Sequence, residues 1–360
     1  HKGDNAGVRP KKKVAPTSNK AIIISEHNGH MFPTKSFDPW QKRQEHALRH
    51  ARVLNDAMAD GEHAGCFGWC MFDYPTHKDF GSGDRICYHG VMDSFRNPKL
   101  AAAVYAAQQF DTPVLAIGSP MDIGDYPGGQ IGDVYAFSNA DEVHMYKNDQ
   151  FVGVLANPSF GILKVEDTIG CLLETQEGFS KKKADLIRKC LVTIGQKGLA
   201  GFSPIDYARM IYAMFHYKLT MHDAVDLYGK YIGNWGGEAT VWRFDAINDF
   251  EVVASVTCCP SAKLHLEVTP SATTLEEKQS FDMAAVRIRI LDEYGNIAPY
   301  AQIPVKLKLE GAAELVGPDV VTAEGGMTGT YIRTTGKSGP AKLTVSTSQT
   351  EPVTIEFLVR

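Results

Sequence analysis

A short, uninterrupted run of apolar residues near the N-terminus constrains the fold of this chain more than any other feature. Residues 21–25 read AIIIS, without the polar alternation of a strand that has one face in water. Such a run predicts a parallel strand that is buried on both faces. Because parallel strands are joined by crossovers, we expect helices on either side of it.

The next residues contain the expected crossover. Apolar residues recur at helical spacing within residues 41–60, and Gly61 follows as a stop signal. A second apolar run covers residues 65–72, and Asn97-Pro98 then opens another helix with Asn97 as its N-cap. The order strand, helix, strand, helix is typical of an α/β barrel or a doubly wound sheet, although two such units cannot close a barrel.

The rest of the chain has the pattern of antiparallel sheets. Alternation begins near residue 133, with a hairpin turn predicted at residues 147–150. Three helical patterns interrupt it, at residues 181–196, 204–218 and 221–232, and Ser203 and Thr220 are the predicted N-caps of the second and third. Short alternating strands after Pro260 predict an immunoglobulin-like sandwich. In the second of these helices, a stripe of four residues is interpreted as core packing, with a partner-binding groove as the alternative: Met210, Ile211, Met214 and Phe215.

Charge and cysteine content exclude several classes of function. Thirty-seven basic and 42 acidic side chains give a net charge of -5, which argues against a nucleic-acid partner. The seven scattered cysteines do not form a disulfide framework, which favours a reducing compartment but leaves both a cytoplasmic and a periplasmic or secreted location open. No apolar run approaches the ~20 residues of a bilayer span, so we expect no membrane partner. The histidines have no metal-binding spacing, and we expect neither a metal nor another cofactor.

Glu26 is the residue most indicative of function, because it ends the first buried strand. The C-terminal ends of parallel strands face the active site in α/β folds, so a carboxylate there is either catalytic or a buried structural acid. Asn28 and His30 follow it and could donate hydrogen bonds to a hydroxylated substrate. The second strand ends near Trp69 and Asp73, where an indole could stack on a sugar ring or simply belong to the core.

Several blocks of sequence around these residues resemble glycoside hydrolase family 2, which contains β-galactosidases, β-glucuronidases and β-mannosidases. The blocks occur in the family's order: SEHNGHMFPTK at residues 25–35, GCFGWCMFDY at 65–74, DRICYHGVMD at 84–93 and NPK at 97–99. The resemblance implies that Glu26 is the catalytic nucleophile on the seventh strand of a (β/α)8 barrel and that Trp69, on the eighth, lies against the sugar. It also implies substrate contacts for Asn28, His30, Lys35 and Asp73, which lie near the matched blocks.

The same resemblance implies a retaining mechanism with a second carboxyl group. In the family this acid/base Glu is preceded by Asn, and the chain contains no Asn-Glu dipeptide. Where family β-glucuronidases carry Asn-x-Lys for the sugar carboxylate, this chain has Cys87-Tyr88-His89, which argues against a glucuronide. The substrate expected from the resemblance is a β-galactoside. A β-glucuronidase or β-mannosidase is the alternative enzyme.

The predicted fold is therefore multidomain, α/β plus all-β. We expect the C-terminal part of a catalytic TIM barrel in residues 1–112, a β-sandwich in 113–260 with a helical insertion at about 168–235, and an immunoglobulin-like β-sandwich in 261–360. The polar, Lys-rich residues 1–20 are interpreted as an exposed connection inside a larger protein. In the alternative hypothesis the chain is an inactive fragment whose sandwiches bind carbohydrate or mediate dimerisation; a homo-oligomer is compatible with either.

Overall fold

The computed structural model describes residues 7–29, 32–80, 83–109, 111–119, 121, 134–155, 162–165, 168–233, 240–261 and 263–360. These residues form two compact units. The first combines His1–Ala106 with Ser261–Arg360, and the second is Ala107–Pro260. The N-terminal segment and the C-terminal sheets thus share one unit, an arrangement that the three-domain prediction does not contain.

The N-terminal segment of the first unit is built around a parallel strand pair. Its elements are α1 Lys11–Val14, β1 Ile22–His27, α2 Trp40–Asp60, β2 His63–Gly68, β3 Tyr74–Pro75, a 3-10 turn at Lys78–Phe80, β4 Ile86–Cys87 and α3 Leu100–Ala106. Strands β1 and β2 pair in parallel, as predicted. Helix α3 begins at Leu100, so the prediction of Asn97 as its N-cap is wrong.

The prediction that β1 is buried on both faces is also wrong. Ile24 and Cys66 pack with Val53 and Ala57 of α2, which covers one face of the pair. On the other face Ile23 is 60% exposed and Phe67 is 64% exposed. The reason is that β1 and β2 form a two-stranded sheet in the described part of the chain, with α2 on one side.

The second unit combines antiparallel sheets with a group of helices. Its elements are β5 Leu115–Ile117, β6 Val134–Ser138, β7 Glu142–Lys147, β8 Gln150–Leu155, β9 Ile162–Val165, α4 Thr168–Thr175, α5 Lys181–Lys197, a 3-10 turn at Leu199–Gly201, α6 Pro204–Tyr217, α7 Met221–Tyr228, a π-helical turn at Gly229–Gly233, β10 Trp242–Asn248 and β11 Glu251–Cys258. The sheets have the strand orders β11-β10-β7-β8 and β5-β6-β9. Side chains of both sheets and of α4, α5 and α7 share one apolar core.

Local sequence signals explain several boundaries in this unit. Ser203 and Thr220 cap α6 and α7, each forming a capping box with an Asp three residues later, which confirms both predicted N-caps. Asn148 and Asp149 have positive φ between β7 and β8, which confirms the predicted hairpin turn. In α6, however, Phe215 is 82% exposed and Ile211 is 50% exposed, so the predicted core stripe is not a core face.

The C-terminal part of the first unit is a two-layer β-structure. Its strands are β12 Leu264–Pro270, β13 Thr274–Leu275, β14 Met283–Asp292, β15 Pro304–Gly311, β16 Ala313–Val316, β17 Val320–Thr322, β18 Met327–Thr334, β19 Gly339–Ser346 and β20 Val353–Val359. They form sheets of order β12-β14-β18-β16 and β13-β20-β19-β15-β17. The two sheets share one apolar core, to which β14 contributes Ile288 and Ile290 and β19 contributes Leu343 and Val345.

The fold is therefore mostly sheet with some helices, as predicted at the level of fold class. A closed barrel is not seen among the residues that the structure describes. In the same part of the chain, no helix combines the length and the apolar character that crossing a membrane requires.

Candidate active site

Glu26 and Trp69 lie at the same end of the parallel strand pair. Glu26 is the penultimate residue of β1, and Trp69 follows the last residue of β2. The Trp69 amide donates a hydrogen bond of 2.8 Å to the carbonyl oxygen of His27, so the two strand ends are directly linked. The structure thus brings together the two residues that the sequence indicates most strongly.

A β-bulge in β1 determines the direction of Glu26. Ile24 pairs with Cys66 and His27 pairs with Gly68, so β1 has one residue more than β2 over this interval. As a result Ser25 and Glu26, consecutive in sequence, are both exposed, whereas His27 is only 2% exposed. A regular strand would alternate, and one of the two would then point toward the helix-covered face. The bulge therefore keeps the Glu26 carboxylate on the open face.

The Glu26 side chain lies over Gly29. A Cβ atom at position 29 would collide with the Glu26 carboxylate, so the glycine leaves the space that this carboxylate occupies. Among the residues that the structure describes, Glu26 has no ion pair or hydrogen-bonded partner. The exposure of Glu26 does not fit the alternative of a buried structural acid.

Trp69 is a half-exposed aromatic residue rather than part of the core. It is 42% exposed, and its indole N–H donates a hydrogen bond of 3.3 Å to the Tyr74 hydroxyl. The two rings meet edge to face with centroids 6.1 Å apart. The Trp69–Cys70 peptide bond is cis. Its exposure and its contact with Tyr74 together show that the indole is only partly covered.

The weaker candidates have different environments. Asn28 is only 8% exposed and has a positive φ of 59°, a conformation that Asn tolerates better than most residues. His30 lies outside the described residues. Lys35 is partly exposed, with its ammonium 3.4 Å from the Asp84 carboxylate and 4.6 Å from the centre of the Tyr88 ring. The substrate contacts proposed for these residues remain predictions.

Asp73 belongs to a buried ion pair. Its Oδ1 accepts hydrogen bonds of 2.7 Å from Lys99 Nζ and 2.9 Å from the Gly90 amide. Burial raises the pKa of Asp73 to about 6, against the opposing effect of Lys99. Burial also lowers the pKa of Lys99. Because the carboxylate already has two donors in the interior, this geometry favours a structural role over the predicted contact with substrate.

Sequence patterns did not indicate a group of histidines next to the end of β1. His46 and His50, four residues apart on α2, line a small cavity together with Asn28, Phe32, Arg49 and His89. The cavity has room for about one water molecule. Burial lowers the pKa of His46 to about 3. The spacing of His46 and His50 at i, i+4 on an amphipathic helix could have indicated that the two side chains lie on one face of α2. Within the described ranges, no cluster of three or more His, Cys, Asp or Glu could hold a metal ion.

Solved structures of glycosidases resemble this chain. A β-glycosidase from Bacteroides vulgatus has a TM-score of 0.55 at 14% identity, with 86% of this chain and 32% of that chain covered. A β-glucuronidase of glycoside hydrolase family 2 has a TM-score of 0.56 at 16% identity, with 94% of this chain and 32% of that chain covered. At this identity the likeness concerns the fold.

Sequence comparisons give the family. A profile described as glycoside hydrolase family 2 C-terminal domain 5 matches residues 266–356. A β-galactosidase of Thermoanaerobacterium thermosulfurigenes is 32% identical over 333 residues, 91% of this chain and 39% of that protein. A β-galactosidase of Rhizobium radiobacter is 30% identical over 122 residues, 32% of this chain and 83% of that protein. The chain belongs to glycoside hydrolase family 2, and it spans 39% of the length of the first of these relatives.

Proposed function

We propose that this chain is the nucleophile-bearing C-terminal part of a retaining β-glycosidase that hydrolyses β-galactosides. The observation that carries the proposal is the exposed Glu26 carboxylate, turned to the open face by the β-bulge and linked through His27 to Trp69. Family membership supports hydrolysis as the reaction. The β-galactosidases that are similar in sequence support a galactoside as substrate.

In the proposed architecture β1 and β2 are strands seven and eight of a (β/α)8 barrel. The α2-covered face then points outward and the open face, with Ile23 and Phe67, points into the barrel. We also propose that the C-terminal two-layer structure is immunoglobulin-like, for which its two antiparallel-rich sheets and common core give support. Barrel strands that flank β1 and β2 would cover the exposed apolar side chains.

The proposed reaction proceeds in two displacements. Glu26 attacks the anomeric carbon, the glycosidic C–O bond breaks, and the leaving oxygen takes a proton from a second carboxyl group ~5 to 5.5 Å away. Water then loses a proton to that group and attacks the anomeric carbon, which releases the sugar and restores the Glu26 carboxylate. Because the chain has no Asn-Glu dipeptide, we propose that the second carboxyl group is not among residues 1–360.

Replacement of Glu26 in the complete gene product tests the proposal. Glu26→Gln keeps the size of the side chain but removes the nucleophile, so kcat on nitrophenyl β-galactoside should fall on the order of 10³-fold or more. Glu62→Gln is the matched control, because Glu62 is an exposed acid just before the opposite end of β2. It should retain wild-type activity.

Covalent trapping provides an independent measurement. A 2-deoxy-2-fluoro-β-galactosyl fluoride should label the wild-type protein on the peptide that contains Glu26, as mass spectrometry would show. A loss of only a few-fold in Glu26→Gln, or a label on another carboxylate, would contradict the assignment. A wild-type protein that hydrolyses nitrophenyl glucuronide or mannoside faster than galactoside would change the substrate and leave the mechanism in place.

A further inference from the structure

Tyr105 reaches from α3 to the point where β1 and β2 end. Its hydroxyl lies 2.8 Å from Nδ1 of His50 and 3.5 Å from Nε2 of His27. The same hydroxyl lies against Gly68, where a Cβ atom would collide with it. One side chain therefore contacts the last residue of each parallel strand.

These contacts are next to both candidate active-site residues. His27 immediately follows Glu26, and Gly68 immediately precedes Trp69. The backbone bond from the Trp69 amide to the His27 carbonyl connects the same two positions. A displacement of the Tyr105 hydroxyl would thus be transmitted over one peptide bond to Glu26 and over one to Trp69.

The surroundings keep these groups uncharged. Burial lowers the pKa of His27 to about 4, so its imidazole is neutral near pH 7. Burial raises the pKa of Tyr105, so the phenol keeps its proton. With His27 Nε2–H as donor and His50 Nδ1 as acceptor, the hydroxyl accepts one hydrogen bond and donates one. The rings of His27 and Tyr105 also meet the His50 ring edge to face, with centroids 5.7 and 5.5 Å away.

We propose that Tyr105 is a positioning residue that holds Glu26 and Trp69 in their reactive placement through His27 and Gly68. This inference rests on the proposed glycosidase function. Tyr105 does not touch the sugar in this scheme. It acts because a nucleophile displaced by a fraction of an ångström attacks less efficiently, and losses of about 10²-fold for a 1 Å displacement are typical.

The test compares Tyr105→Phe with Tyr331→Phe in the complete gene product. Tyr331 is a matched control, because it lies on β18 in the same unit and its hydroxyl donates a 2.7 Å hydrogen bond to the Ser94 carbonyl. Tyr105→Phe removes the 2.8 Å hydrogen bond to His50 and the longer 3.5 Å bond to His27, whereas Tyr331→Phe removes one bond, so an equal or somewhat larger decrease in melting temperature is expected for Tyr105→Phe. Only Tyr105→Phe should lower kcat on nitrophenyl β-galactoside, by about ten- to a hundredfold, together with the rate of trapping by the 2-fluoro sugar.

Each outcome separates this inference from the function on which it rests. If wild-type protein has no glycosidase activity, the proposed function fails. If wild-type protein is active and Tyr105→Phe matches Tyr331→Phe in kcat and in trapping rate, the positioning role is refuted and the glycosidase remains. Should Tyr105→Phe not fold, His50→Phe removes the 2.8 Å partner while leaving the tyrosine, and a kcat equal to that of Tyr331→Phe would likewise overturn the role.

Discussion

At the scale of single residues, Lys99 shows how a buried charge organises the loops beside the candidate site. Its ammonium donates hydrogen bonds to Asp73 Oδ1 at 2.7 Å, to the Thr34 carbonyl at 2.8 Å and to the Tyr88 carbonyl at 3.4 Å. Three separate loop segments therefore converge on one side chain. A buried ion pair adds little on balance when intact, but removal of one partner leaves the other charge uncompensated.

We expect Lys99→Met to be strongly destabilising. The isolated, buried Asp73 carboxylate should cost roughly 3 to 5 kcal/mol in free energy of unfolding, measured by urea denaturation. Lys35→Met is the control, because Lys35 and Asp84 form a partly exposed pair at 3.4 Å whose loss should cost less than about 1 kcal/mol. Restoration of part of the stability by Asp73→Asn in the Lys99→Met background would support the explanation. Equal small losses in both lysine variants would contradict it.

The sequence separation of a residue's contacts decides whether its place in the candidate site could be predicted. Glu26 and Trp69 were accessible to sequence reasoning, because a position at the end of a strand depends on the local pattern. The partner of Asp73 was not, because Lys99 lies 26 residues further on and its return is determined by loop packing. The bulge at Ser25–Glu26 was equally hidden, since the apolar run AIIIS reads as a regular strand.

At the scale of elements, the turn before α3 docks on strand β18. The Asn97 carboxamide donates hydrogen bonds to Asp93 Oδ2 at 2.8 Å and to the Thr328 carbonyl at 2.9 Å, and it is fully buried. The Tyr331 hydroxyl donates to the Ser94 carbonyl at 2.7 Å. Phe95 packs against Gly329, where a Cβ atom would collide with it. The C-terminal sheets thus contact the turn that precedes α3.

The turn at Asp292–Asn296 provides a control for the energetic contribution of the hydrogen bond from Asn97 to Thr328 on β18. Asn296 donates to Asp292 the same two hydrogen bonds that Asn97 donates to Asp93, one from the backbone amide and one from the carboxamide. The backbone amide lies 2.8 Å from the carboxylate oxygen in both turns. We expect Asn97→Ala to lower the free energy of unfolding by about 1 to 3 kcal/mol more than Asn296→Ala, because it leaves the buried Thr328 carbonyl without this donor. Urea denaturation of both variants measures the difference. Indistinguishable losses would mean that the hydrogen bond to Thr328 is energetically neutral.

At the scale of the whole molecule, the exposed face of the β1–β2 pair is the feature that departs most from the local sequence pattern. Ile23, Phe67 and Met71 are each at least 60% exposed, although their sequence context is that of buried strands. The sharing of one unit by residues before Ala106 and after Ser261 was not predictable. It rests on contacts such as that from Asn97 to Thr328, which are 231 residues apart and have no local pattern.

Residues 1–360 expressed alone should therefore bind a hydrophobic dye and associate in light-scattering measurements, because exposed apolar patches of this kind promote both. The double substitution Ile23→Thr, Phe67→Thr should reduce dye fluorescence and scattering. Phe215→Thr is the control, because Phe215 on α6 is 82% exposed but lies outside the β1–β2 face. It tests whether an exposed apolar residue elsewhere contributes as much to dye binding and association. A monomer that binds no dye would show that the β1–β2 face is covered.

Because of the bulge in β1, the direction of the Glu26 side chain, and with it the proposed role as nucleophile, depends on the number of residues between Ile24 and His27. With one residue removed between Ile24 and His27, the strand could keep its pairing with β2, and the fold could persist. The acid would then point into the helix layer, beyond the reach of any sugar. Relatives that retain every motif but lack this one extra residue should consequently fold but have no glycosidase activity.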